Sequence, residues 1–135
     1  DLRYSSREEM RRLKEGSQRI RKLYRALVEV EGGISDEELG MVERALKGAM
    51  IRQRTPQRVS WRRADLVRVR RVHDVRIRRV GENMFEMTVL CDGGLYVKEL
   101  VSGDDGRTRP SVAEVLGKKA FCRELDVLEV LDGER

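Results

Sequence analysis

Histidine occurs once in this chain, at position 73, and that scarcity removes most hydrolytic and metal chemistry at the outset. A Ser/His/Asp or Cys/His triad would have to be built on His73 alone, inside an arginine-rich, β-branched run beside Asp74. Cysteine is nearly as rare. Cys91 and Cys122 stand apart with no C-x-x-C spacing, which excludes a disulfide framework and a zinc site; both are expected to be buried thiols of a cytoplasmic protein. No Gly-rich loop opens a helix in the Walker or dinucleotide pattern, and with one histidine and two isolated cysteines no metal site is expected. No signal-peptide pattern is present, and no apolar run approaches the roughly 20 residues a membrane span needs, so no membrane partner is expected. Aromatic residues make up only 4% and charged residues 39%, the balance of a thin core under a well-solvated surface.

What is present is charge of one kind in one place. Between Arg52 and Arg79 there are eleven arginines, no lysine, and only Asp65 and Asp74 as acids. That segment carries +9, so with a net charge of +5 the rest of the chain carries −4. Guanidinium groups bind phosphate bidentately and stack on bases, so an all-arginine run points to nucleic acid more than to a merely solvated face. Arg52, Arg54, Arg58, Arg62, Arg63, Arg68 and Arg70 are the candidate RNA contacts in it.

Periodicity divides the 135 residues into the elements of one domain. Ser6-Arg7-Glu8-Glu9 reads as a capping box opening a short helix. From Arg19 to Glu31 the period is two, with Tyr24, Ala26, Val28 and Val30 on one face of a strand. Ser35-Asp36-Glu37-Glu38 caps a second helix running to about Lys47 and burying Leu39, Val42 and Leu46. Thr55-Pro56 interrupts the arginine segment. Leu66 to Val80 alternates as a strand, Val67 and Val69 on one face and Arg68 and Arg70 on the other, with a bulge near Val72–Asp74. After the turn Gly81-Glu82-Asn83 a strand runs from Met84 to Cys91, with Phe85, Met87, Val89 and Cys91 on one face. Leu95 to Ser102 is expected to form one or two helical turns. Ser111-Val112-Ala113-Glu114 is a third capping box, stopped at Gly117, and Phe121 to Leu131 a final strand. The order α-β-α-β-β-α-α-β implies an α+β fold, a mixed, largely antiparallel sheet with helices packed on one face.

The run GGLYVKELVSGDDGRTRPS, Gly93 to Ser111, carries the densest functional signal. Its two glycines allow a close backbone approach or a positive φ. Tyr96 and Lys98 follow, and a second glycine turn ends in Arg107 and Thr108, both read as phosphate ligands.

Four segments occur together in one order: RKLYRALV (Arg21 to Val28), RQRTPQRVSWRRADLVRVR (Arg52 to Arg70), the Gly93–Ser111 run, and RELDVLEV (Arg123 to Val130). Together they resemble the C-terminal half of the archaeal and eukaryotic tRNA pseudouridine synthase Pus10 family, over about Leu13 to Val130. The resemblance implies the C-terminal half of a pseudouridine synthase fold and the formation of pseudouridine in the T arm of tRNA, at positions 54 and 55, without a cofactor. It implies that Tyr24 is the tyrosine that stacks on the target uracil and serves in removal of its C5 proton. Lys98 is then the basic residue that pairs with the nucleophilic aspartate, and Val97 and Leu125 wall the pocket that Gly93, Gly94 and Tyr96 line.

The family's first motif, of the form G-R-x-D, is missing from this chain. The chain also opens on Asp1 rather than methionine. Residues 1–135 are therefore expected to be the C-terminal portion of a catalytic domain, inactive alone, with the first-motif segment and a THUMP-containing region upstream in the same protein as partners alongside tRNA. The other reading is a non-catalytic structured-RNA-binding module that keeps the basic face.

Overall fold

The computed structural model describes residues 20–132, so the helix expected after Ser6 lies outside the described residues. The first strand, β1, spans Ile20–Val30 and is strictly alternating: Tyr24, Ala26, Val28 and Val30 are buried. Helix α1, Asp36–Leu46, begins at the expected capping box. Ser35 Oγ accepts from the Glu38 N–H at 3.1 Å, and Glu38 Oε1 accepts from the Ser35 N–H at 3.0 Å. Its buried residues are Val42 and Leu46.

Strand β2, Met50–Arg54, was not foreseen within the arginine segment. Ile51 and Gln53 are buried while Met50, Arg52 and Arg54 are exposed; the alternation is sound, but Gln53 stands where an apolar residue would have announced it. Strand β3, Val67–Arg79, pairs with β2 and β4, and its register against β4 shifts between Val72 and Asp74, at the expected bulge. Val72 points into the core, and its alternation partners before the bulge are Arg70 and Arg68. That parity leaves Val67 and Val69 exposed and draws the two arginines half under cover.

Strand β4, Met84–Asp92, buries Phe85, Met87, Val89 and Cys91 completely. Helix α2, Val97–Ser102, closes at Gly103, whose φ of 83° suits glycine. A two-residue strand β5, Thr108–Arg109, pairs with β2 and was also unforeseen. Helix α3, Val112–Leu116, is capped by Ser111 Oγ accepting from the Glu114 N–H at 3.1 Å, while the Glu114 carboxylate turns to Arg109. Strand β6, Ala120–Asp132, completes the chain.

These strands form one six-stranded sheet in the order β5-β2-β3-β4-β1-β6, every neighbour antiparallel. Val42 and Leu46 of α1, Val97, Leu100 and Val101 of α2, and Val112 of α3 join the inward residues of β1, β3 and β4 in one core. The helices thus cover one face, the α+β arrangement expected from the sequence.

Candidate functional site

Tyr24 sits on the helix-covered face of β1 and retains 9% of its surface. Burial, and secondarily the nearby Cys91 thiol, raises its pKa, so the phenol remains protonated and neutral at ordinary pH. Its neighbours across the sheet are Val89 on β4 and Val127 on β6. An aromatic ring at such a place offers a stacking surface at the core's margin.

Gly93 and Gly94 lie where β4 ends. The Gly93 N–H donates to the Ile20 carbonyl at 2.7 Å, and a Cβ on Gly93 would stand 3.1 Å from that same oxygen. Gly94 has φ +92°, and a Cβ there would meet Arg70 Nε at 3.1 Å. One glycine therefore serves a close approach to β1 and the other a left-handed turn. The turn leads straight into α2, which packs on β6 and β1. Val97 is buried and Lys98, next to it, is exposed.

No carboxylate among the described residues pairs with Lys98. Its charge acts instead on Cys122 of β6, where burial raises the thiol pKa and Lys98 partly opposes the rise. Cys122 is paired with Val28, and Leu125, half-buried against the core, with Ala26. Tyr24 and Val97 share one core cluster, so Tyr24 and the helix that carries Lys98, 74 residues away, lie on the same side of the sheet. An unpaired ammonium there can hold an anionic group supplied from elsewhere.

Tyr96 is fixed by its backbone. Its N–H donates to Gln53 Oε1 at 2.9 Å, and its carbonyl accepts from Gln53 Nε2 at 3.0 Å. Arg58 lies over its ring at 5.9 Å and pairs with Glu99, at 2.7 Å from Nε and 3.3 Å from Nη2. Gln53 and Glu99 are buried polar residues that no sequence pattern marks, since their partners lie more than forty positions away.

The arginine segment is less free than its composition suggests. Arg54 pairs with Asp65, Arg68 donates to Thr55 Oγ1, and Arg70 donates to the Gly93 and Val69 carbonyls. Arg52, Arg62 and Arg63 pair with no carboxylate among the described residues. Two expected phosphate ligands need correction. Thr108 is buried, with its hydroxyl accepting from Gln53 Nε2 at 3.1 Å. Arg107 is tied to the Thr55 carbonyl at 2.6 Å and to Asp104 and Asp65. The pairing of β5 with β2 draws this turn inward, which residue types alone do not reveal.

An open depression of about 800 Å³ lies elsewhere, bounded by Gly103–Gly106, Glu114 and Gly117–Phe121. Neither Tyr24 nor Lys98 lines it.

The family model described as Pus10, C-terminal, matches residues 1–131. The chain is 63% identical over 131 residues to the tRNA pseudouridine synthase Pus10 of Korarchaeum cryptofilum, covering 97% of this chain and 35% of that protein. It is 53% identical over 132 residues to the protein of the same name from Pyrococcus furiosus, covering 98% and 34%. The chain thus spans about a third of the length of these relatives. Among solved structures it is similar to a chain of a Cbf5–Nop10–Gar1 complex, with TM-score 0.67 and 22% identity over 82% of this chain and 30% of that one. A chain of an archaeal box H/ACA sRNP Nop10–Cbf5 complex gives a TM-score of 0.59 at 18% identity, covering 87% and 30%. At such identities the likeness shows the fold alone. On the match along its whole length and the identity to these relatives, the chain belongs to the Pus10 family, as its C-terminal region.

Proposed function

We propose that the full-length protein containing this chain is a tRNA pseudouridine synthase acting on uridine 54, uridine 55 or both in the T arm. The observation that supports the reading is that Tyr24 and the helix carrying Lys98 lie on one side of the sheet, with Tyr24 and Val97 in one core cluster. Isomerisation conserves every atom: the bond from ribose C1′ to N1 breaks, the uracil turns, C1′ bonds to C5, and the C5 proton leaves as N1 gains one. No co-reactant is required.

In this reading the target base leaves its stack, and the Tyr24 ring offsets part of the unstacking cost of a few kcal/mol. Lys98 pairs with the nucleophilic aspartate, lowering its pKa and fixing its orientation. Val97 and Leu125 keep water from the detached base. The aspartate comes from the upstream first-motif segment. The 13-residue β6, which has no further strand beside it among the described residues and exposes Val127, Leu128 and Val130, supports a docking place for that segment. A THUMP-containing region upstream completes the binding of tRNA.

The test is single-turnover pseudouridine formation by the full-length protein on T-arm RNA. Lys98→Ala should slow it by roughly 10²-fold or more, the scale of a misplaced catalytic group, with tRNA affinity nearly unchanged. Tyr24→Phe should keep the stacking contribution and lose what the hydroxyl supplies. The 135-residue chain alone should produce no pseudouridine. A near-parental rate for Lys98→Ala overturns the assignment.

A further inference from the structure

Between β2 and β3 the chain makes a projecting loop whose base is firmly held. The Thr55 N–H donates to the Leu66 carbonyl at 2.9 Å, and Thr55 Oγ1 donates to the Ala64 carbonyl at 2.6 Å while accepting from the Leu66 N–H at 3.0 Å. Gln57 is bound to Asp104 and Asp105, Arg58 to Glu99, and Val59 is buried. The loop is therefore riveted to α2 and to the turn behind it.

At its tip stands Trp61, the chain's one tryptophan, 79% exposed. The Arg62 guanidinium covers one face of the ring, 5.5 Å from its centroid, and the other face is open. The hydrogen bonds of Thr55, Gln57 and Arg58 hold the base from which Trp61 projects. Arg62 and Arg63 follow Trp61 in the chain, and the acid nearest in sequence, Asp65, is already engaged by Arg54 and Arg107.

We propose that Trp61 is a stacking platform for one unpaired nucleobase of the RNA, at a point separate from the target-base pocket, with Arg63 on an adjoining phosphate. The proposal rests on the RNA-modifying reading above. An indole with one open face takes any base, because every base has a π-face, and Arg62 behind the ring holds its orientation. The positive charge beside the ring favours a nucleotide over an apolar protein segment. Because Arg58 and Gln57 join the stalk to Glu99 and Asp104, a base seated on Trp61 positions the RNA relative to the Tyr96–Lys98 turn.

Trp61 is the sole tryptophan of the 135-residue chain, so its emission reports this site alone. An unmodified tRNA transcript should quench it; a fully duplex RNA of equal length should bind without comparable quenching. Trp61→Ala should weaken tRNA binding by roughly 5- to 150-fold, the range for loss of one stacked base, with an unchanged salt slope. Trp61→Phe should keep most of the affinity, and the exposure of the site makes folding of both variants straightforward to verify by circular dichroism. If Trp61→Ala binds tRNA like the parent while Arg63→Ala weakens it, the RNA reading stands and the platform is overturned. A shift in Trp61 emission with the upstream region of the protein, and none with RNA, also overturns it, in favour of a protein contact. If the parent fails to bind tRNA at low salt, the RNA-binding reading of this chain falls with the platform.

Discussion

The two ends of the sheet are held together by different physics. Around β1 and β4 the inward residues Ala26, Val28, Val30, Phe85, Met87 and Val89 have no exposed surface, and the helices that cover them contribute Val42, Leu46, Leu100 and Val101. Stability there comes from apolar burial, which has little directional preference. Around β2, β5 and the start of β3 the buried positions include Gln53, Thr55 and Thr108, and Glu99 closes the same region from α2. Here guanidinium groups satisfy the backbone: Arg107 serves the Thr55 carbonyl, Arg70 that of Gly93, and Arg71 that of Gly48. The planar fork of arginine suits that task, since several donors reach several acceptors at once. The run of arginines is thus partly architecture, and its value to an anion is concentrated in the few that have no such duty.

The comparison breaks if a fully buried phenylalanine proves dispensable. Phe85→Ala should destabilise the fold by about 3–5 kcal/mol, measured by urea denaturation, because it removes a large apolar side chain and leaves a cavity. A loss under about 1 kcal/mol would show that burial does not dominate that half.

In the polar half the two partners of one ion pair should differ. Glu99 is 5% exposed and the Arg58 side chain 46%. Arg58→Ala strands a buried carboxylate and should cost about 2–3 kcal/mol, whereas Glu99→Ala leaves a guanidinium that water can reach and should cost about 1 kcal/mol. Equal losses in the same denaturation measurement would mean that the pair is a surface contact.

Alkaline pH offers a smaller, graded test of the apolar half. Burial pushes the Cys91 thiol up from 9.0 to about 12. The raised value means that the folded state retains a proton the unfolded chain releases. The associated stability is intact below pH 9 and declines as pH rises toward 12, by up to about 1.4 kcal/mol per unit from this group. Cys91→Ala, compared with the parent across that window, should remove this part of the slope; parallel curves would contradict it.

The smallest expected effect on stability separates architectural arginines from those free to meet RNA. Arg52→Ala should alter stability by less than about 0.5 kcal/mol, as for an ordinary surface change. If Arg52 contacts a phosphate, the slope of log tRNA affinity against log salt falls by about 0.7–0.9. Arg70→Ala should instead cost about 1 kcal/mol, because the Gly93 carbonyl loses its donor. A stability loss for Arg52→Ala with no change in salt slope would reverse the distinction.

Local signals in the sequence determined much of this molecule. The alternation of β1 and β4, the Ser35 capping box, the bulge after Val72 and the glycine stops at Gly103 and Gly117 depend on neighbours only a few residues away. The four linked motifs likewise identified the family. Tertiary structure alone decided which face of β3 turned inward ahead of its bulge, because parity there is set by the residue that joins the core, Val72, and not by which of the preceding residues are apolar. It decided also that Thr108 is buried and Arg107 committed, since strand β5 exists only through its pairing with β2, more than fifty residues earlier. Partnerships across such separations, like Arg58 with Glu99, depend on the folded path of the chain, and no periodicity encodes them.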